Sequence, residues 1–216
     1  MTPKEPFLSI SKEALNKLPV ESFPGDITVI DTEEQAAAAV VELEKEPIVG
    51  FDTETRPSFR KGVTYTVALV QISTRDKCFL FRINKTGLCD SLRSFIENPA
   101  VKKIGLSLKD DFFVLHKIHD FAPESFVELQ SMVGDYGIAD ASLQKIYGII
   151  FGRRISKSQR LTNWEAQELT PAQQHYASLD AWACLKIHDE LTAGRFDPES
   201  SPYRIAAETA TDNAAV

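Results

Sequence analysis

Apolar residues along the chain alternate between two spacings, and each change of spacing marks an element. Ile27 to Ile30 is a short β-rich run, followed by Asp31-Thr32-Glu33-Glu34, which supplies capping chemistry for an Ala-rich helix reaching about Glu44. A second apolar run, Ile48 to Phe51, ends abruptly in Asp52 and Glu54 and predicts a strand over 47–54. Tyr65 to Ser73 is β-rich and apolar on both faces, which suits a central strand. Lys77 to Ile83 reads as its hairpin partner, because Thr74-Arg75-Asp76 is short enough for a tight connection. Leu88 to Glu97 predicts a helix stopped near Pro99, Lys102 to Ser107 a strand, Leu108 to His119 a helix, and Phe126 to Leu129 one more short strand. From Ala139 onward only helices are expected, over about 141–151 and 171–193. Thr170 as N-cap, Pro171 at the first helical position, Gln173 closing a capping box and Gly194 as a stop mark the last of these sharply. Antiparallel strands first, then alternation of helix and strand, predict an α/β fold with a sheet of mixed direction.

The flanks read differently. Residues 1–25 carry Pro3, Pro6, Pro19 and Pro24 around a short helical run, Ser11 to Leu18, and are expected to form an N-terminal arm. The domain proper is expected over 26–195, and the polar stretch 196–216 as a flexible tail. Net charge is −7, which argues against a general basic coat and leaves room for a local basic groove. Cys78, Cys89 and Cys184 form no C-x-x-C pair, so a reducing interior is expected and a structural zinc is not. The first residues lack the apolar core of a signal peptide, and no apolar stretch is long enough to span a bilayer. A soluble, cytoplasmic protein with no membrane partner is the expectation.

Four acids stand where acids are unusual. Alternate residues of a strand share a face, so Asp52 and Glu54 point the same way. Two such carboxylates raise each other's pKa unless a positive charge, commonly Mg²⁺ or Mn²⁺ held by oxygens, sits between them. Alone, the pair would equally suit two surface acids on an edge strand. In the 108–119 helix Leu108, Phe112, Leu115 and Ile118 form one face; Asp111 falls within that stripe, whereas Asp110 points away. In the last helix Tyr176, Asp180, Ala183, Ile187 and Leu191 line one face, with Tyr176 and Asp180 one turn apart. A Tyr–Asp hydrogen bond closing a packing seam would explain that pair by itself. Four inward acids around two cations is the arrangement that two-metal phosphoryl chemistry requires.

These positions carry a resemblance. Phe51-Asp52-Thr53-Glu54-Thr55, then Gly105 to Leu115 with its aspartate at Asp111, then Ser158-Gln159-Arg160-Leu161-Thr162-Asn163-Trp164 and Leu169 to Ala181, resemble the three motifs of DEDD-type 3′→5′ exonucleases of the tyrosine subgroup. The long third block resembles ribonuclease D and, more so, the exonuclease domain of the Werner-syndrome helicase. The likeness spans about residues 27–193. It implies a ribonuclease H-like mixed sheet flanked by helices, two Mg²⁺ or Mn²⁺ ions, and Asp52, Glu54, Asp111 and Asp180 as their ligands. It also implies that Tyr176 holds the attacking water. His175 lies at the spacing of the sister subgroup's histidine, but helix geometry turns it about 140° from Asp180, while Tyr176 stays on the same face.

Candidate substrate contacts are Thr53, Phe113, Lys157 and Arg160. No acid occurs from Ser142 to Trp164, whereas Lys145, Arg153, Arg154, Lys157 and Arg160 do, a stretch suited either to phosphates of a single strand or to plain solvation. Phe113 could stack on a terminal base or belong to the core; Trp164 reads as packing. His116 and His119 lack companions for a zinc site. The expected activity is metal-dependent release of nucleoside 5′-monophosphates from single-stranded or recessed 3′ ends, with DNA favoured. A ribonuclease D-like exoribonuclease and an inactive nucleic-acid-binding module are the alternatives.

Overall fold

A computed structural model describes residues 7–205. Its elements are α1 (Lys12–Lys17), β1 (Asp26–Ile30), α2 (Glu33–Leu43), β2 (Ile48–Thr55), β3 (Val67–Ser73), β4 (Lys77–Phe81), α3 (Ile83–Thr86), α4 (Asp90–Ile96), β5 (Lys102–Gly105), α5 (Leu108–Leu115), β6 (Phe126–Glu128), α6 (Leu129–Gly134), α7 (Leu143–Phe151) and α8 (Pro171–Thr192). The strands form one sheet in the order β1-β4-β3-β2-β5-β6. β3 runs antiparallel to β2 and β4, and the other neighbouring pairs are parallel. The mixed direction expected from the pattern is therefore present, and the Thr74-Arg75-Asp76 connection makes the predicted hairpin.

Several expectations fail locally; the helix expected to reach His119 ends at Leu115. The strand predicted over Lys77 to Ile83 ends at Phe81, where Arg82 N–H donates to the Ile30 carbonyl and the chain turns into α3. α6 has no counterpart in the sequence reading. It is too short to show a helical period, and its cap is a glutamate, not one of the usual short N-cap residues: the Glu128 side chain accepts from the Gln130 N–H at 2.9 Å.

Helices cover both faces. α7, α8 and the arm pack on one, where Leu80, Ile104, Ile146, Ala183 and Ile187 are buried together. On the other, α2, α4 and α5 pack over Val49, Phe51, Val70 and Ile72. The arm is fastened rather than free. Leu15 sits on Gly148, where a β-carbon would lie 2.7 Å from its methyl, and Arg154 exchanges backbone bonds with Pro19 and Glu21. The polar tail expected to hang loosely from Asp197 is likewise tied through residue 205: Ser9 N–H donates to Tyr203 O and Ile205 N–H to Phe7 O. The remainder of that tail, 206–216, and residues 1–6 of the arm lie outside the described residues.

α8 meets the sheet backbone to backbone at Gly50. A β-carbon there would come within 1.9 Å of the Ala181 carbonyl oxygen, so only glycine permits this approach of helix backbone to strand. Gly50→Ala is expected to lower stability by about 2 kcal/mol in urea unfolding, the usual scale of overpacking. An unchanged midpoint would show that α8 does not rest on β2 at this point.

Candidate active site

The register of β2 explains where the acids stand. β5 pairs with β2 only from Ile48 to Gly50, whereas β3 follows it out to Thr55. Beyond Gly50 one side of β2 is therefore left without a strand neighbour. The crevice lies past the carboxyl end of parallel β5, the place where open α/β sheets leave room for ligands. Asp52 and Glu54 share the face of Gly50 and so look toward α8. Asp180, next to the Gly50 contact residue Ala181, is brought over them from the helix.

One carboxylate oxygen from each of Asp52, Glu54 and Asp180 lies within 4.8 Å of the others. Asp111 stands outside this trio, at the first turn of α5 on the other face, where it accepts a hydrogen bond from Thr53 Oγ at 2.5 Å. Asp111 and Asp180 are buried, and Asp52 and Glu54 are half-buried. The helical-face argument is met for both helices: Asp111 is inward and Asp110 exposed.

Such packing is electrostatically severe. Two like charges 4 Å apart repel by roughly 4 kcal/mol even at an effective dielectric of 20. Burial, reinforced by Asp111, Asp180 and Glu54, pushes Asp52 well above the usual carboxylate range. Burial and then Asp180 push Glu54 to about 9, against the opposing pull of Arg160. Asp111 and Asp180 rise to about 7, both chiefly through burial; a Tyr176 hydrogen bond and the charge of Lys157 hold Asp180 back. The donors are hard oxygens, and no cation bonds to any of the trio among the described residues. This set fits a divalent cation and fits nothing softer.

A cavity of about 510 Å³ opens onto the cluster, lined among others by Asp52, Ser142, Lys157, Arg160, Tyr176 and Asp180. Tyr176 packs against fully buried Trp164, with ring centroids 6.0 Å apart, so Trp164 is indeed a packing residue. His175 is exposed, its Nδ1 against the Pro171 carbonyl at 2.8 Å. Of the candidate substrate contacts, Lys157 and Arg160 line the cavity, Thr53 is committed to Asp111, and Phe113 lies on exposed α5 surface with Lys117 Nζ 4.3 Å from its ring centroid. Two cations of the basic stretch are already used internally, Lys145 by Asp140 at 2.6 Å and Arg153 by Glu21 at 3.1 Å. His116 stacks on Phe121, with ring centroids 4.2 Å apart.

Glu128 is the positioning residue that sequence reasoning missed. Its carboxylate accepts from the N–H groups of Ser107, Leu108 and Gln130 at 3.1, 2.8 and 2.9 Å. Ser107, the N-cap of α5, is left-handed (φ 63°) and caps nothing with its own side chain. Glu128 therefore holds the start of the helix that carries Asp111. The only sequence signal is a Ser–Leu helix start with no local acceptor for its amides.

The raised pKa values carry a sign. An acid protonated more readily when folded stabilises the fold at low pH, and that stability is lost as pH rises through the folded pKa. Without divalent cations the melting temperature is expected to fall from about pH 4 to about pH 9, the window bounded by ordinary carboxylates and Glu54. Added Mn²⁺ should raise it most at the upper end, and Asp52→Asn should flatten both trends. Scanning fluorimetry across pH checks this; a metal shift independent of pH would count against the cluster as its site.

Comparison with known proteins agrees with this geometry. The 3'-5' exonuclease family profile matches residues 27–194. The mouse bifunctional 3'-5' exonuclease/ATP-dependent helicase WRN is 31% identical over 186 residues, covering 82% of this chain and 13% of that protein. Ribonuclease D of Acidiphilium cryptum is 29% identical over 203 residues, covering 89% of this chain and 50% of its own length. The crystal structure of Escherichia coli RNase D superposes with a TM-score of 0.70 at 20% identity, over 77% of this chain and 44% of that one, and shares its ribonuclease H-like fold. The chain spans half or less of these relatives. Sheet, acidic cluster and profile together place the chain in the 3'-5' exonuclease family of the DEDD superfamily.

Proposed function

We propose that this chain is a 3′→5′ exonuclease that hydrolyses the terminal phosphodiester of a nucleic-acid strand and releases nucleoside 5′-monophosphates. The convergence of Asp52, Glu54 and Asp180 within 4.8 Å carries the reading. Asp52, Glu54 and Asp180 would hold one Mg²⁺ or Mn²⁺, and Asp52 with Asp111 a second. When bound, such ions polarise the phosphoryl group and make water a better nucleophile.

The chain's own residues do the positioning. Burial and the neighbouring Asp180, Glu54 and Asp52 raise the Tyr176 phenol above its ordinary pKa, so it stays protonated at neutral pH and orients the attacking water rather than serving as base. The water oxygen attacks phosphorus, the bond to the upstream 3′ oxygen breaks, and that oxygen leaves with a proton. Lys157 and Arg160 face the same cavity and would hold the phosphates. Thr53 fixes Asp111 through its hydroxyl and is a positioning residue.

DNA is the substrate we favour, on the closer likeness of the third block to the Werner-type exonuclease and the 31% identity to its mouse form. RNA is the second reading, supported by ribonuclease D relatives and by a Trypanosoma brucei RNase D complex with RNA U12 of similar fold. Asp52→Asn should reduce mononucleotide release below about one-thousandth of wild type. Tyr176→Phe should lower kcat about 100-fold, the cost of a misplaced nucleophile. His175→Ala should leave kcat within about twofold, since an exposed side chain outside the cleft is near neutral. Matched DNA and RNA oligonucleotides with Mg²⁺ or Mn²⁺ decide the substrate; no release from either would sink the activity.

A further inference from the structure

Next to the catalytic cavity lies a second one of about 340 Å³, and it is basic. Lys12, Lys145, Arg154 and Lys157 line it, and it shares Ser142, Gln144 and Lys157 with the catalytic cavity, so the two adjoin along a common wall. Its outer wall is α1 of the N-terminal arm, which precedes the family match beginning at residue 27.

Most of the groove's cations make no ion pair among the described residues. Among the described residues Lys12 and Lys157 make no ion pair, and the Arg154 side chain donates only through Nε to the Leu18 carbonyl at 3.1 Å. Lys145 alone has a carboxylate, Asp140, which also accepts from Ser9 Oγ and the Ile10 N–H. Glu21, a half-buried acid of the arm, is drawn away by Tyr147, Arg153 and Lys186. The chain's net charge of −7 opposes any polyanion, so a strand threading the site needs a local path of positive potential.

We propose that this groove holds backbone phosphates of the single strand 5′ to the scissile bond, and that the N-terminal arm is a substrate-binding element through Lys12. This rests on the nuclease reading for its ligand class. A strand with its 3′ end at the acids passes Lys157 and then runs between α1 and the 154–157 segment. The arm is held there by the seating of Leu15 on Gly148 and by Glu21, which leaves the Lys12 side chain exposed to meet the strand.

The test uses the full chain carrying Asp52→Asn, with binding of a fluorescent single-stranded oligonucleotide read by anisotropy, beside digestion by the active form. Lys12→Glu should weaken binding about tenfold, and Lys12→Ala should make the dependence of log K on log salt shallower by about 0.7, the value for one phosphate contact on a single strand. Lys12→Arg should restore binding, and the melting temperature should not move. In the active form the loss should appear as a raised KM for long strands and be absent for dinucleotides, which do not reach the groove. Arg60→Glu, in the separate cleft formed by Arg56, Phe59 and Tyr65, is the control. Unchanged binding in Lys12→Glu, or a loss in Arg60→Glu alone, overturns the proposal. Because binding is read without turnover, failure of the nuclease activity would not disguise either result.

Discussion

Mutual repulsion among buried carboxylates is the constraint to which the rest of this structure answers. Asp52, Glu54 and Asp180 crowd one another, so each disfavours the ionisation of the others and burial adds to the penalty. They are kept together by packing that has nothing to do with charge. α8 lies on β2 at Gly50 with backbone against side-chain-free backbone, and residues on either side of Asp180 are locked in the apolar core. The helix delivers its acid because its neighbours are buried.

The fourth acid is held by a different device. Asp111 comes from the opposite layer, on a short helix whose first amides are satisfied by Glu128 at the end of β6. Phe112, beside it, packs its ring edge-on against Phe126 and Phe121, anchoring the helix to the sheet. Thr53, pointing to the far face of the strand that carries Asp52 and Glu54, reaches Asp111 directly. The two faces of one strand thus communicate with helices from two layers, and the acids meet at the point where β5 stops and β2 continues.

The arm and the basic stretch show how a chain of net negative charge can still face a polyanion. Acids near the groove are engaged: Asp140 by Lys145 and two arm donors, Glu21 by a tyrosine and two cations. Lys12, Lys157 and Arg160 are left without such partners among the described residues. Charge separation on this scale survives screening because it is local and partly recessed.

Periodicity was sufficient for most of the layout: the existence and order of the strands, the α2 and α8 caps and the inward placing of Asp111 and Asp180 follow from local spacing, and the structure has them. Local rules work there because each element's buried face is written in its own side chains. What only the tertiary structure decided is everything that depends on two distant segments touching. The sequence could not show that Asp111 stands apart from the trio, that Glu128 caps α5, or that the tail to residue 205 pairs with the arm. Nor could it show which cations of the 142–164 stretch are neutralised and which face the cavity, since Lys145 and Lys157 are alike until Asp140 lies beside one of them. Spacing determines which way a side chain points; only the folded chain determines what it meets.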